Sequence, residues 1–230
     1  MPSEGSPAAR QRLLIFVIAY RAEKTLTGVL SRVPPAVFQS FDCEILVVDD
    51  ASADRTFEIG HEWKAAHPEI RMTVLRNEYE QGYGGNQKVG YTYAIDNGFD
   101  FIALLHGDGQ YAPEELPRLL EPLASGRADV VLGSRMLEQG AALRGGMPLY
   151  KYVGIRVLSG VQNFLLRARL SEYHSGYRLF AVRALAALPF RLNTNDYHFD
   201  TELIIQLLNA GFRIAELPIE IDRERIAEFC

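Results

Sequence analysis

Phe101-Ile102-Ala103-Leu104-Leu105-His106-Gly107-Asp108-Gly109-Gln110-Tyr111-Ala112-Pro113-Glu114 is the stretch on which the fold is read. Residues 101–105 are an unbroken apolar run, short enough for a strand covered on both faces. At its end one carboxylate, Asp108, stands between two glycines, and a proline with acids follows where a helix should begin. A carboxylate at the end of a buried strand can hold a divalent cation, and through it a phosphate. The pattern points to chemistry on a nucleotide-activated substrate.

The same alternation extends on both sides. Apolar runs at 13–19, 45–48, 70–75, 101–105 and 130–132 read as strands. The intervening stretches 25–33, 55–66, 87–97 and 113–125 read as helices, stopped by Pro34-Pro35, Pro68, Gly98 and Gly126. Repetition of strand and helix implies an α/β fold with a doubly wound, mostly parallel sheet, which binds ligands outside the carboxyl ends of its strands. Further on, 150–166 has helical spacing. A short strand at 177–180, a helix at 200–209 closed by Gly211, and a strand pair around 214–221 follow. From Gln139 to Ser171 there is no acid, but there are five bases: Arg144, Lys151, Arg156, Arg167 and Arg169. Within it the basic, apolar segment Leu149–Arg169 reads either as a core-facing helix with solvated arginines or as a surface lying on anionic lipid.

Composition narrows the class. The chain has 230 residues, 48% of them hydrophobic, enough for one globular domain with a real core. A net charge of −5 argues against nonspecific nucleic-acid binding. Cys43 and Cys230 form no spacing motif, so a reduced interior and a cytoplasmic setting are expected. No apolar run reaches the roughly 18 residues of a membrane span. Residues 1–11 lack the hydrophobic core of a signal peptide and read as a disordered tail before a single domain over 12–230.

Each strand end carries polar groups that can face one cleft. They are Ala19-Tyr20-Arg21-Ala22-Glu23, Asp49-Asp50, the glycine-rich 81–88, Asp108 with Gln110, and Arg135. Asp49-Asp50 can accept hydrogen bonds from a nucleobase or ribose, or simply cap a turn. The stretch 82–88 can bring backbone close to a nucleotide with Lys88 facing phosphate, or be a flexible turn; it lacks the Walker spacing. Asp108 and Gln110 offer hard oxygens for Mg²⁺ or Mn²⁺. Residues 107–112 also fit the dinucleotide pattern G-x-G-x-x-A, but they follow the fourth strand, and a bare carboxylate there would repel pyrophosphate. Arg135 can fork onto a diphosphate or form a surface salt bridge. The run 172–178 mixes Glu172, His174 and Arg178, with His174 either a phosphate or metal contact or a structural histidine. Asp200 and Glu202 start a helix, where they either favour its dipole or orient a sugar or acceptor.

Taken in order, 19–23, 47–54, 82–88, 104–114, 129–135, 145–151, 172–180 and 195–218 resemble the inverting glycosyltransferases of family 2, of GT-A fold. Within them the chain is most similar to the polyprenyl-phosphate sugar transferases, such as the dolichyl-phosphate mannosyltransferases. The resemblance implies a metal-dependent hexosyltransferase of cell-envelope glycan biosynthesis. It would move a hexose from a GDP- or UDP-sugar to a polyprenyl phosphate or a sugar acceptor. Residues 12–135 then form the nucleotide-sugar part and 136–230 the acceptor side. Ala19, Tyr20, Glu23, Asp49 and Asp50 fall at the nucleotide, Asp108 and Gln110 at the metal, and Arg135 and Arg178 near the phosphates; Lys88, His106, Gly107 and His174 are counted with them as donor-binding candidates. Where the family has Asp-x-Asp, this chain has His106-Gly107-Asp108, so His106 is a candidate ligand too. A sugar acceptor needs a proton acceptor, for which Glu172, Asp200 and Glu202 are candidates; a lipid phosphate needs none. Without transmembrane helices, contact through 149–169 is expected to be peripheral, on the cytoplasmic face of the membrane. Two rivals remain. A sugar-phosphate nucleotidyltransferase would carry an Arg- and Lys-containing glycine-rich loop after the first strand, which is missing. A non-catalytic nucleotide-sugar-binding module has only His106 in its favour.

Overall fold

The computed structural model describes residues 10–138, 140–144 and 147–219. The tail read at 1–11 falls almost wholly outside them, as do Gly145 and the far end of the strand pair at Ile221. In chain order the elements are β1 (Arg12–Ala19), α1 (Leu26–Ser31), α2 (Pro35–Ser40), β2 (Asp42–Asp49), α3 (Thr56–Ala66), β3 (Met72–Arg76), α4 (Gly82–Asp96) and β4 (Phe101–His106). There follow α5 (Leu116–Ala124), β5 (Val130–Ser134), α6 (Ala141–Arg144), α7 (Leu149–Leu166), β6 (Arg178–Ala181), α8 (Val182–Ala186), α9 (Phe199–Asn209) and β7 (Ile214–Pro218).

Among the described residues the strands form one sheet in the order β3-β2-β1-β4-β6-β5-β7. All pairs are parallel except those of β6, which runs antiparallel between β4 and β5. Alternate residues of each strand point to opposite faces and build two cores. Leu13, Ile15, Val17, Val47 and Leu105 meet α1, α3 and α5 on one side. Leu14, Phe16, Val48 and Leu104 meet α4, α8 and α9 on the other. Helix α4 approaches β1 closely because residue 90 is glycine; a Cβ there would overlap the Phe16 ring.

Three departures from the sequence reading have physical causes. Pro34-Pro35 stops α1 but also starts α2, with Pro35 in the first helical position, where its missing N–H costs nothing. The helix expected from Pro113 begins as a 3₁₀ turn over Pro113–Glu115, because Pro117 has no N–H to offer the Pro113 carbonyl. Helix α4 starts five residues earlier than the expected 87, taking in the glycine-rich stretch. Its first donors are capped from outside. Asp50 accepts from the N–H groups of Gln81 (2.8 Å) and Gly82 (3.0 Å), and the Asn195 carbonyl accepts from Gly84 (2.8 Å) and Gly85 (3.3 Å).

Order along the sheet reverses between β1 and β4, the switch point at which doubly wound sheets open a crevice. Register brings the strand ends level there: Ala19 pairs with Asp49 and Ile18 with His106.

Candidate active site

A cleft of about 510 Å³ opens over these strand ends. Of the residues expected at the site, it gathers Ala19, Tyr20, Asp50, His106, Gly107, Asp108, Gln110, Arg135, His174 and Asp200. Glu23, Asp49, Lys88, Glu172, Arg178 and Glu202 are not among its lining.

On the β1–β2 side, Asp50 faces the cleft but is heavily bonded within the protein. Besides the two N–H groups of α4, its Oδ1 accepts from the Asn77 amide at 2.7 Å. Asp49 is fully buried beneath the turn, with Oδ1 accepting from the Ser52 N–H at 3.3 Å and Oδ2 3.5 Å from Arg76. Burial raises its carboxyl above the ordinary value, against the pull of Ser52 and Arg76. Tyr20 donates its hydroxyl to Glu80 across the cleft mouth at 3.2 Å. Glu23 accepts from the Arg55 N–H at 3.1 Å and so braces the β2–α3 loop. Asn86 was not singled out in the sequence. It lines the cleft with its Nδ2 donating to the Val48 carbonyl at 3.1 Å, and its buried Oδ1 has no donor.

The β4 end is held down by Gly107, whose N–H reaches the Ile18 carbonyl (2.8 Å) and whose carbonyl accepts from Thr25 Oγ1 (2.6 Å). Asp108 is exposed, and its Oδ1 accepts from the Gln110 N–H at 3.0 Å. The Gln110 amide nitrogen donates to Nδ1 of His106 at 3.0 Å, which leaves the imidazole proton on Nε2. That nitrogen is buried without a partner against Gly176. Burial lowers the His106 pKa, outweighing the opposing pull of Asp108 and favouring this neutral form. His106 lines the cleft with Nδ1 engaged by Gln110 and Nε2 packed against Gly176, so ligation of a metal would require one of these contacts to give way.

Beyond β4 the charged residues sort into those that face the cleft and those that hold them. Glu172, expected as a possible base, is buried, and both its oxygens are engaged. Oε1 accepts from the Arg135 N–H (2.7 Å) and Ser134 Oγ (3.2 Å), and Oε2 from the Arg135 guanidinium (2.9 Å). Arg178 is buried too; its forks reach the carbonyls of Ser175 (2.6 Å), Tyr173 (2.9 Å) and Asp200 (3.2 Å) and the Asp200 carboxylate (3.1 Å). It is thus a strut beneath the cleft and not a phosphate contact. Asp200 also accepts from the hydroxyl of Tyr83 and the amide of Gln87, each at 3.0 Å. Glu202 accepts from the Thr194 N–H at 2.8 Å. Lys88, expected to face phosphate, instead donates to the Asn193 carbonyl and to Asn195 Oδ1 (2.7 Å), because its helix turns it away from the cleft. His174 is exposed at the rim; burial of part of the ring and nearby Arg178 lower its pKa. Aromatic residues that the sequence reading passed over, Tyr83, Tyr111 and Tyr197, complete the wall.

Among the described residues no three His, Cys, Asp or Glu side chains cluster as a metal centre. The donor set still suits a hard divalent ion that brings its own anionic ligands. Asp108 presents a carboxylate to the cleft. Gln110, with its amide nitrogen turned to His106, has its carbonyl oxygen left to offer.

Comparison with known proteins agrees with this architecture. Residues 14–188 match the model of Glycosyl transferase family 2. Over 210 residues the chain is 30% identical to the polyprenol monophosphomannose synthase of Mycolicibacterium smegmatis, covering 91% of this chain and 77% of that one. Over 218 residues it is 29% identical to the undecaprenyl-phosphate mannosyltransferase of Micrococcus luteus, covering 94% and 86%. Its fold is similar to that of glucosyl-3-phosphoglycerate synthase from Mycobacterium tuberculosis, solved with Mn²⁺, uridine diphosphate and phosphoglyceric acid. The TM-score is 0.66 at 21% identity, over 93% of this chain and 70% of that one.

Proposed function

The chain belongs to glycosyl transferase family 2, and from that membership we propose that it moves a hexose from a nucleotide-sugar to a polyprenyl phosphate with inversion at the anomeric carbon. The observation that carries the reading is the exposed carboxylate of Asp108 at the end of β4, facing a cleft shared with Asp50 and Arg135. Asp108 and the Gln110 carbonyl oxygen would hold Mg²⁺ or Mn²⁺, which would neutralise charge on the departing diphosphate. Arg135, locked by Glu172, adds a fixed cation to the same wall. In the transfer an acceptor phosphate oxygen bonds to the anomeric carbon. The bond from that carbon to the diphosphate breaks, and its electron pair leaves with the nucleoside diphosphate. A lipid phosphate is already an anion and needs no strong base. The engagement of Glu172 and Glu202 in protein hydrogen bonds supports that choice of acceptor.

Helix α7 supports a lipid partner as well. Among its described side chains the solvent-facing half bears Leu149, Tyr150, Val153, Val157, Phe164 and Leu165, while only Ser159 is fully buried. Exposed Lys151 and Arg156 flank this apolar arc, and Arg167 and Arg169 follow it. An apolar outer face edged by cations fits the interface of an anionic bilayer. No helix among the described residues is long and apolar enough to cross a membrane.

The test is transfer of labelled hexose from GDP-mannose or UDP-glucose into undecaprenyl phosphate with Mn²⁺. Wild type should label the lipid, and Asp108→Ala should lose the activity while keeping its circular dichroism. Full activity in a folded Asp108→Ala variant would sink the assignment.

A further inference from the structure

Tyr197 is the feature of the cleft that its polar chemistry leaves unused. It lies in the short loop before α9, lines the cleft, and is 78% exposed. An aromatic ring so exposed is ordinarily free to swing, but this one is held. It stacks on Tyr83 with centroids 5.1 Å apart and planes 26° from parallel. Tyr83 is itself fixed by its hydroxyl on Asp200 (3.0 Å) and by an edge contact to His106 at 5.8 Å. One face of Tyr197 is thus covered by Tyr83, and the other is presented outward.

We propose that Tyr197 is the platform on which the hexose of the nucleotide-sugar lies. A pyranose has a face of C–H groups that packs on an aromatic ring, and a rim of hydroxyls that seeks hydrogen-bonding groups. Both requirements meet here. Asp200, with three of its roughly four acceptor positions filled from inside the protein, and the imidazole of His174 line the same cleft. On the transferase reading the nucleoside is assigned to the β1–β2 end of the cleft, with Tyr20 and Asp50. Tyr83 links Tyr197 instead to His106 and Asp200, on the far side of β1 from β2. The ring therefore recognises the transferred sugar and not the base.

This inference rests on the transferase reading, and its test separates the two. Binding is measured calorimetrically, with Mn²⁺ and without acceptor, for GDP and GDP-mannose and for UDP and UDP-glucose. The proteins are wild type, Tyr197→Ala and Tyr197→Phe. The residue's exposure makes misfolding of either variant a small hazard, and thermal unfolding checks it. For whichever pair wild type binds, Tyr197→Ala should weaken the nucleotide-sugar on the order of tenfold and leave the nucleoside diphosphate unchanged. Tyr197→Phe should bind both as wild type does. Equal weakening of both ligands, no weakening of either, or a Phe variant as poor as the Ala variant would overturn the platform alone. A wild type that binds none of the four would overturn the transferase reading and this inference with it.

Discussion

The imidazole of His106 lies so close to the backbone of Gly176 that a Cβ on Gly176 would come within 2.6 Å of both Cε1 and Nε2. Gly176 is itself anchored, its N–H donating to the Tyr111 hydroxyl at 2.8 Å, so neither side has room to yield. His106 in turn directs the Gln110 amide. A methyl group at 176 would push the ring and release Gln110. Gly176→Ala should therefore cost about 1–3 kcal/mol of stability, as overpacking of a close contact does. It should also weaken the Mn²⁺-dependent part of nucleotide binding. Adding His106→Ala should restore most of the stability but not the binding. Denaturant unfolding of both single variants and the double variant measures the coupling; additive losses would show that the two residues do not meet as described.

Glu172 holds Arg135 through both its main-chain N–H and its guanidinium, at 2.7 and 2.9 Å. It is a positioning residue, and Glu172→Gln should keep the fold while loosening the arginine. Transfer should fall about 10- to 100-fold, the range for loss of an outer partner that orients a contacting residue. A general base would leave a different trace. Removing it would erase the acidic limb of the pH–rate profile, whereas loosening Arg135 should lower the whole profile and leave its shape unchanged.

Asp129, before β5, accepts from Arg213 through its main-chain N–H (2.9 Å), Nε (3.1 Å) and Nη2 (3.0 Å), and it also meets Arg183. The hydrogen bonds from Arg213 are the first cause that lowers its pKa to about 2, from an ordinary 3.8. The unfolded chain therefore binds the proton more readily than the folded one. The stabilisation is complete above the ordinary value and is lost as pH falls from there through about 2. Unfolding free energy should decline over that window in wild type. Asp129→Asn should be less stable at neutral pH and should show a shallower decline. Parallel curves for the two proteins would refute the coupling.

Strands β1, β2 and β4 were legible because each is a near-continuous apolar run buried on both faces. The start of α4 was not, because its cap is Asp50, some thirty residues away in sequence, and a run of glycines by itself reads as a turn. The antiparallel insertion of β6 between β4 and β5 is a matter of which distant strand edges meet, and no local pattern encodes it. At the site, charged residues were easy to find but not to sort. Asp108 and Arg135 face the cleft, whereas Arg178 and Glu172 brace it from below, and only packing separates the two groups. Tyr197, in a loop, and Tyr83, in a glycine-rich stretch that reads as a turn, were missed because neither position carries a signal until the stacked pair is seen.

Helix α7 turns its apolar residues outward, with Phe164 at 84% and Leu165 at 71% exposure. Its inner side rests on a small cluster, where Tyr152 and Ile155 meet Met136, Ala142 and Met147. Charges placed on the outer face should therefore leave the fold intact. If that face lies in a bilayer, Phe164→Asp with Leu165→Asp puts two anions where the apolar arc meets lipid. Wild type should float with vesicles containing anionic phospholipid and bind neutral vesicles less well, because Lys151, Arg156, Arg167 and Arg169 add attraction near the surface. The double variant should stay in the aqueous fraction. Its transfer to undecaprenyl phosphate in vesicles should fall at least tenfold, an order-of-magnitude expectation for losing the contact area of two buried apolar side chains. Its affinity for the nucleotide-sugar should not change, because neither residue lines the cleft. A second copy of the chain could cover the same face instead. In that case wild type would sediment as a dimer without lipid, the double variant as a monomer, and neither would float; that result would reject the membrane reading.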